Sequence, residues 1–287
     1  MKIELTNVDY IYNEGLPSEV YALKDINLTI NSHEIVGLIG QTGSGKSTLV
    51  QLLNGLLIPS RGDCIIDDIN SKDKKRRKEA RFKVGLVFQY PENQLFEETI
   101  AKDIAFGPKN MGLGDQEVEQ RVRMAMAKVG LDYETYKDKS PFELSGGQQR
   151  RVAVAGILSM NPRVLVLDEL TAGLDPIGRD EIFSEIMDLY NNDPDLSIVL
   201  VSHSMEDVAE YVDRVIVMNE GELYSDKSTY ETFTKVDLDK IGLDIPQITK
   251  FMRAYKKKNP QVRDDIYTVS AAVAELKRVL GGNDGKH

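Results

Sequence analysis

A glycine-rich turn between an apolar run and a leucine-faced helical pattern constrains this chain more than any other feature. Gly40, Gln41, Thr42, Gly43, Ser44, Gly45, Lys46 and Ser47 fit the pattern G-x-x-x-x-G-K-[ST], and Thr48 follows. The apolar run 35–39 precedes it as a strand. After it, Leu49, Leu52, Leu53 and Leu56 recur at helical spacing, with Gly55 and Pro59 near the helix end. A strand that enters such a turn and a helix that leaves it make backbone N–H groups converge at a helix N-terminus, where phosphate oxygens bind. In that setting Lys46 is expected to bridge the β- and γ-phosphates of a nucleotide, and the Ser47 hydroxyl to ligate Mg²⁺.

A second run, 164–167, is wholly apolar and ends in Asp168 and Glu169. Two carboxylates at the tip of a buried strand sit where ligands bind in parallel α/β sheets. Asp168 is expected to hold Mg²⁺ through water, and Glu169 to face the γ-phosphate. The runs 164–167 and 198–201 flank a helical segment at 176–190, as in a parallel layer buried on both faces. Strand-like runs at 3–10, 26–30, 35–39 and 84–88 point to an antiparallel layer beside the nucleotide core. Residues 99–160 turn helical, with helices expected over 115–129 and from Ser145 to about 160. The expectation is an α/β fold of the P-loop NTPase kind. It combines a parallel core, an antiparallel β layer and a helical subdomain in one domain over 1–235, followed by a small helical appendage over 236–287. In the appendage 237–246 reads as a linker. Ile248, Phe251, Met252 and Tyr255 form one helical stripe, Val269, Ala272, Val273 and Leu276 another, and 281–287 reads as a frayed tail.

Leu144, Ser145, Gly146, Gly147, Gln148, Gln149, Arg150 and Arg151 open an apolar-faced helix far from the first loop. Ser145 can cap that helix, and the glycines expose N–H groups, which makes a second phosphate cradle. Here the chain resembles the ABC ATPase family. The resemblance implies that Ser145, Gly146, Gly147 and Gln148 face the γ-phosphate held by another subunit, so that two ATP molecules are sandwiched in a head-to-tail dimer. It also implies that Gln89 is the glutamine contacting Mg²⁺ or the attacking water. In the same way Asp175, in the stretch Ala172, Gly173, Leu174, Asp175, would cross the dimer interface, and His203 would contact the γ-phosphate. Tyr12 resembles the aromatic that stacks on adenine. Tyr10 is the alternative, placed on the opposite strand face if the strand continues that far. Leu170 departs from the family pattern, which has proline after the two acids and so a stiffer turn.

The stretch from Phe88 through Gln89, Tyr90, Pro91, Glu92, Asn93, Gln94, Leu95 and Phe96 to Thr99, followed by 103–108, closely resembles the ATPases of energy-coupling factor transporters. The loop 13–19 before 22–25 resembles the second of their two paralogous ATPases. That resemblance implies an ATPase energising uptake of vitamins or transition-metal ions. The implied partners are a second ATPase subunit, a transmembrane coupling subunit received near Gln94, Leu95 and Phe96, and, indirectly, a membrane substrate-binding subunit that selects the cargo.

Composition agrees with these readings. A chain of 287 residues with 41% hydrophobic content can bury a full core, and a net charge of −10 argues against a nucleic-acid-wrapping protein. The single cysteine, Cys64, cannot form an internal disulfide and suits a reducing, cytosolic compartment. No signal peptide is expected from the charged start, and the apolar stretches 152–160 and 198–201 fall short of the roughly 18 residues of a membrane span, so a membrane role must work through a partner. The basic runs 72–81 and 256–258 read as solvated faces, with attraction to anionic headgroups as the alternative.

Overall fold

The computed structural model describes residues 1–281. The frayed tail expected over 281–287 lies, after its first residue, outside the described residues. In chain order the strands are β1 (Ile3–Tyr12), β2 (Val20–Ile30), β3 (Ile35–Gly40), β4 (Arg61–Ile66) and β5 (Ile69–Asn70). They continue with β6 (Val84–Val87), β7 (Val164–Asp168), β8 (Ser197–Val201), β9 (Arg214–Asn219) and β10 (Glu222–Ser228). The helices are α1 (Lys46–Leu53), α2 (Arg77–Lys83), α3 (Ile100–Asn110), α4 (Asp115–Lys128), α5 (Tyr133–Tyr136) and α6 (Gly146–Leu158). After them come α7 (Pro176–Asn192), α8 (Met205–Tyr211), α9 (Thr229–Lys235), α10 (Gln247–Lys256) and α11 (Val269–Gly281). Two compact units divide the chain, one made of Met1–Glu34 and Ser47–Val199, the other of Ile35–Lys46 and the chain from Leu200 onward.

The first unit carries the antiparallel layer, in the order β2-β1-β4-β5. β1 alternates Ile3, Leu5, Val8 and Ile11 into the core, with register shifts beyond Leu5 that keep the buried side continuous. The unit also holds the parallel pair β6 and β7, in which Val84 faces Val164 and Val87 faces Leu167. Both strands are buried on both faces over those residues, as a parallel layer requires. α3, α4 and α6 make the helical part. Asp103 accepts from the Phe96 and Glu97 N–H groups at 2.9 Å and so ties the start of α3 to the segment before it. Cys64 is fully buried, its thiol pointing at the Leu52 carbonyl, and burial pushes its pKa up to about 12.

In the second unit β3 runs parallel to β9, with Val36 opposite Arg214 and Gly40 opposite Met218, and β10 turns back antiparallel on β9. Every residue of β3 is buried. The stretch read as a linker contains a single 3-10 turn, Asp239–Ile241, and buries Leu238 and Leu243. The two helical stripes are real: α10 and α11 close over Met252, Val262, Ile266 and Ala272, with Ile248, Tyr255 and Leu276 packed against them. Phe251, Val269 and Val273 instead face outward. Polar bonds fasten this cluster to α9, since Tyr230 Oη donates to Asp265 at 2.8 Å and Arg253 donates to the Phe233 carbonyl at 3.0 Å.

Candidate functional site

The phosphate loop lies in the second unit. Gly40 ends β3 where a Cβ would stand 2.5 Å from both the Met218 carbonyl and Ser44 Oγ, so only glycine fits. Gly43 and Gly45 then take φ of 81° and 103°, the left-handed backbone that reverses the chain over the helix start. The Ser44 N–H donates to the Gln41 carbonyl at 3.1 Å, and the Gly221 N–H donates to the Ser44 carbonyl at 3.0 Å, which pins the loop to the β9–β10 turn. Lys46 is 8% exposed, and its ammonium donates to the Gly40 and Gln41 carbonyls at 2.6 and 3.0 Å, which arches it over the loop. Ser44 Oγ is buried with no hydrogen-bond partner in the protein, and a buried hydroxyl in that position fits a phosphate oxygen. Thr42 and Gly43 are exposed at the loop tip. His203 is exposed after β8, directly before Ser204, which caps α8 by accepting from the Asp207 N–H at 3.2 Å. The Gln41 side chain reaches the 239–243 turn, where its Nε2 donates to the Gly242 carbonyl.

Ser47 and Thr48 belong to the first unit, with Ser47 exposed and Thr48 buried. Tyr12, the last residue of β1, is 39% exposed and shares a 3.2 Å hydrogen bond between its hydroxyl and Thr48 Oγ1. β1 does continue this far, but Tyr10 is not on the opposite face. Residues two apart on a strand share a face, and the two rings meet edge-on at 4.8 Å. Tyr12 is thus the ring at the open end of the strand, next to the first turn of α1.

Gln89, Asp168 and Glu169 emerge at one sheet edge, because β6 and β7 are parallel and in register. Gln89 is exposed, and both acids are half-buried. Glu169 has φ of 51°, an uncommon conformation for a residue with a side chain, at the turn that follows the strand. Leu170 behind it is 3% exposed, so the residue that replaces proline serves as core. Gln89, Asp168, Glu169 and Ser47 each carry the kind of oxygen donor that a small hard cation takes. Among the described residues no group of three His, Cys, Asp or Glu forms a closed metal cage.

Ser145 caps α6 as the sequence predicts. Its hydroxyl accepts from the Gln148 N–H, while Gln148 Oε1 accepts from the Ser145 N–H at 3.2 Å, a reciprocal capping box. Gly146 and Gly147 are exposed, with open space where a Cβ would stand. Gln148 also donates to the Tyr136 hydroxyl at 3.3 Å, so its side chain is occupied in building the helix start. Asp175 caps α7, accepting from the Gly178 N–H at 2.7 Å.

Two charged residues were not singled out by the sequence. Glu92 and Arg150 form a bidentate pair, with Arg150 5% exposed. An arginine just ahead of the apolar stretch 152–158 was the available signal. Leu95, expected to help receive a partner, is 7% exposed and already core. Phe96, 56% exposed, and Phe106, 48%, stand outside it, edge-to-face at 5.0 Å. With Phe82, Gln94 and Met160 they line a groove of about 350 Å³.

A family model described as ABC transporter matches residues 23–172. The ATP-binding cassette MJ0796, solved as a dimer in a post-hydrolysis state bound to ADP and Pi, superposes with a TM-score of 0.67 at 30% identity, covering 79% of this chain and 98% of that one. Fold and loop thus define an ATP-binding cassette with ATPase chemistry. The structure of cbiO1 from Clostridium perfringens, part of the ABC transporter complex cbiONQ, superposes with a TM-score of 0.72 at 37% identity, covering 88% of this chain and 98% of that one. The energy-coupling factor transporter ATP-binding protein EcfA2 of Clostridium perfringens (strain 13 / Type A) is 52% identical over 286 residues, 99% of this chain and 100% of the relative. The chain belongs to the ABC transporter family and, within it, to the energy-coupling factor transporter ATP-binding proteins.

Proposed function

We propose that this chain binds and hydrolyses ATP to drive uptake of vitamins or other micronutrients through an energy-coupling factor transporter. It does so at the cytoplasmic side of the membrane, paired head to tail with a second, paralogous ATPase subunit. The observation that carries this reading is the loop itself: a glycine-bounded arch with Lys46 held over it and the buried Ser44 hydroxyl left for a phosphate oxygen. In the proposed site the N–H groups of residues 40–48 hold the phosphates, and Tyr12 stacks on the adenine. Ser47, Gln89 and Asp168 would hold Mg²⁺, which when bound neutralises phosphate charge. Glu169 takes a proton from the attacking water, and Lys46 and His203 donate to oxygens of the transferring phosphoryl group as charge develops there. The exposed start of α6, Ser145 to Gln148, completes the partner subunit's site by the same backbone N–H chemistry, and Asp175 stands at the interface between subunits. The open Phe96 and Phe106 rings receive the transmembrane subunit, since an apolar pair beside the Gln89 segment buries on docking. Among the described residues no helix is long and apolar enough to cross a membrane.

The test is ATP turnover and substrate uptake by the transporter co-expressed with its membrane subunits and placed in vesicles. Glu169→Gln should retain bound ATP while turnover falls by about 10²–10⁴-fold, the range for loss of a general base. Turnover at the unsubstituted rate in that variant removes Glu169 from the reaction.

A further inference from the structure

Arg150 joins three segments of the first unit through one side chain. Its Nε and Nη2 donate to Glu92 Oε2 and Oε1, each at 3.2 Å, and its Nη1 donates to the Leu170 carbonyl at 3.1 Å. Glu92 lies in the 3-10 turn Pro91–Gln94, between Gln89 and the exposed Phe96. Leu170 directly follows Glu169. Arg150 itself stands in the first turns of α6, behind the exposed Ser145 to Gly147.

The Glu169 turn is closed by the Ala172 N–H donating to the Glu169 carbonyl at 3.0 Å, and Arg150 braces the next carbonyl along. A glutamate at φ 51° occupies a sparsely populated conformation that persists only where its surroundings fix it. Leu170 lacks the locked φ that proline would supply. The planar guanidinium, with its fork spent on Glu92 and its remaining edge on the Leu170 carbonyl, fixes the turn from behind, a task a lysine's single ammonium cannot reproduce. The Tyr90 ring also runs near Gly173, its hydroxyl 3.6 Å from where a Cβ on that glycine would stand. The segment carrying Gln89 and the segment carrying Glu169 are therefore linked through Arg150.

We propose that Arg150 is a positioning residue for ATP hydrolysis, holding the Glu169 turn in register with the 89–96 segment through its simultaneous bonds to Glu92 and Leu170. The proposal rests on the reading of Glu169 given above. A shift of the 91–94 turn on docking moves Glu92, and the fork carries that movement to the Leu170 carbonyl and so to the Glu169 carboxylate. Arg150 touches no reacting atom in this scheme.

The experiment uses the assembled transporter in vesicles, with turnover normalised to nucleotide bound per ATPase subunit and thermal unfolding recorded in parallel. Arg150→Lys should lower kcat by tenfold or more, toward the roughly hundredfold that an ångström of misplacement costs, with KM for ATP within about twofold. Glu92→Gln reads the same contact from its more accessible end and should lower kcat in the same direction, so the test survives if Arg150→Lys does not fold. Glu92→Asp should restore part of the loss. The double variant should be no worse than the weaker single, because both remove one strut. An unchanged kcat in Arg150→Lys or in Glu92→Gln, or losses that multiply in the double variant, overturns the proposal. Glu169→Gln run in the same vesicles separates the two readings: its inactivity beside fully active Arg150 and Glu92 variants leaves the ATPase reading intact and removes the strut.

Discussion

Gln41 and Gly242 are joined across 201 positions of sequence by a hydrogen bond of 3.1 Å, from the side-chain amide of the phosphate loop to a carbonyl at the entrance to the C-terminal helices. Gly242 has φ of 66°, and a Cβ there would overlap the Gln41 amide. Gly242→Ala should therefore cost about 1–2 kcal/mol from the left-handed backbone and push Gln41 from its place. Gln41→Ala removes only the bond, worth about 1 kcal/mol or less. Thermal unfolding beside nucleotide titration checks this, with the larger stability loss expected in Gly242→Ala.

Tyr12 can be separated from Tyr10 by nucleotide affinity. Tyr12→Ala should weaken ATP binding by about 1–3 kcal/mol, the usual worth of a base-stacking ring. Tyr12→Phe keeps the ring and loses only the bond to Thr48, so affinity should change little. Tyr10→Ala should leave affinity closer to the unsubstituted value than Tyr12→Ala does. Titration with a fluorescent ATP analogue reads all three, and equal losses at both tyrosines would remove Tyr12 from its assigned place.

The apolar segment after Gln89 splits into two roles. Phe96→Glu with Phe106→Glu should abolish co-purification with the transmembrane subunit while leaving the melting temperature of the isolated chain nearly unchanged, because both rings are open to solvent. Leu95→Ala should behave in the opposite way, costing about 2–5 kcal/mol of stability as a buried leucine truncation. Retained assembly in the double glutamate variant would move the docking surface elsewhere.

These contrasts show what the sequence makes legible and what it does not. Periodicity located β3, β7 and α6 because a buried strand or an apolar helix face leaves a continuous trace in residue type, but the runs 35–39 and 84–88, expected in the antiparallel layer, pair in parallel with β9 and β7, since pairing direction leaves no such trace. The loop at 40–47 and the acids at 168 and 169 were readable because their chemistry demands particular residues at fixed spacing. Leu95 and Phe96 have the same chemical character, and only the turn at Pro91–Gln94 decides which is inside. The Arg150–Glu92 pair spans 58 positions, and no local pattern records a partner at that distance. β10 leaves little trace because it is an edge strand, mostly exposed and polar, whereas β9 carries the buried apolar run 215–218.

Acid should loosen the C-terminal helices. The Arg278 guanidinium, and the Arg263 N–H after it, hold the Glu275 carboxyl down at about 2 against an ordinary 4.5. Arg263 and then Tyr230 hold Asp265 at about 2 against 3.8. Carboxyls depressed in the folded chain stabilise it fully above their unfolded values. That contribution is lost as pH falls from about 4.5 toward about 2. Glu275→Gln should be less stable than the unsubstituted chain at neutral pH, with the gap closing across that window. Denaturant unfolding at a series of pH values measures it, and a gap that stays constant down to pH 2 would exclude the linkage.

Cys64 has a practical consequence. It is the only cysteine in 287 residues, fully buried, with a thiol pushed up to about 12, so almost none of it is thiolate at neutral pH. The chain is in effect silent to maleimides and methanethiosulfonates as nature made it. A cysteine installed at an exposed position such as Ile177, 72% exposed beside Asp175, would then carry a spin or fluorescent reporter with no competing label in this subunit. Any change in spacing between the paired ATPases could thus be followed by distance measurement during turnover, without first stripping the protein of its own thiols.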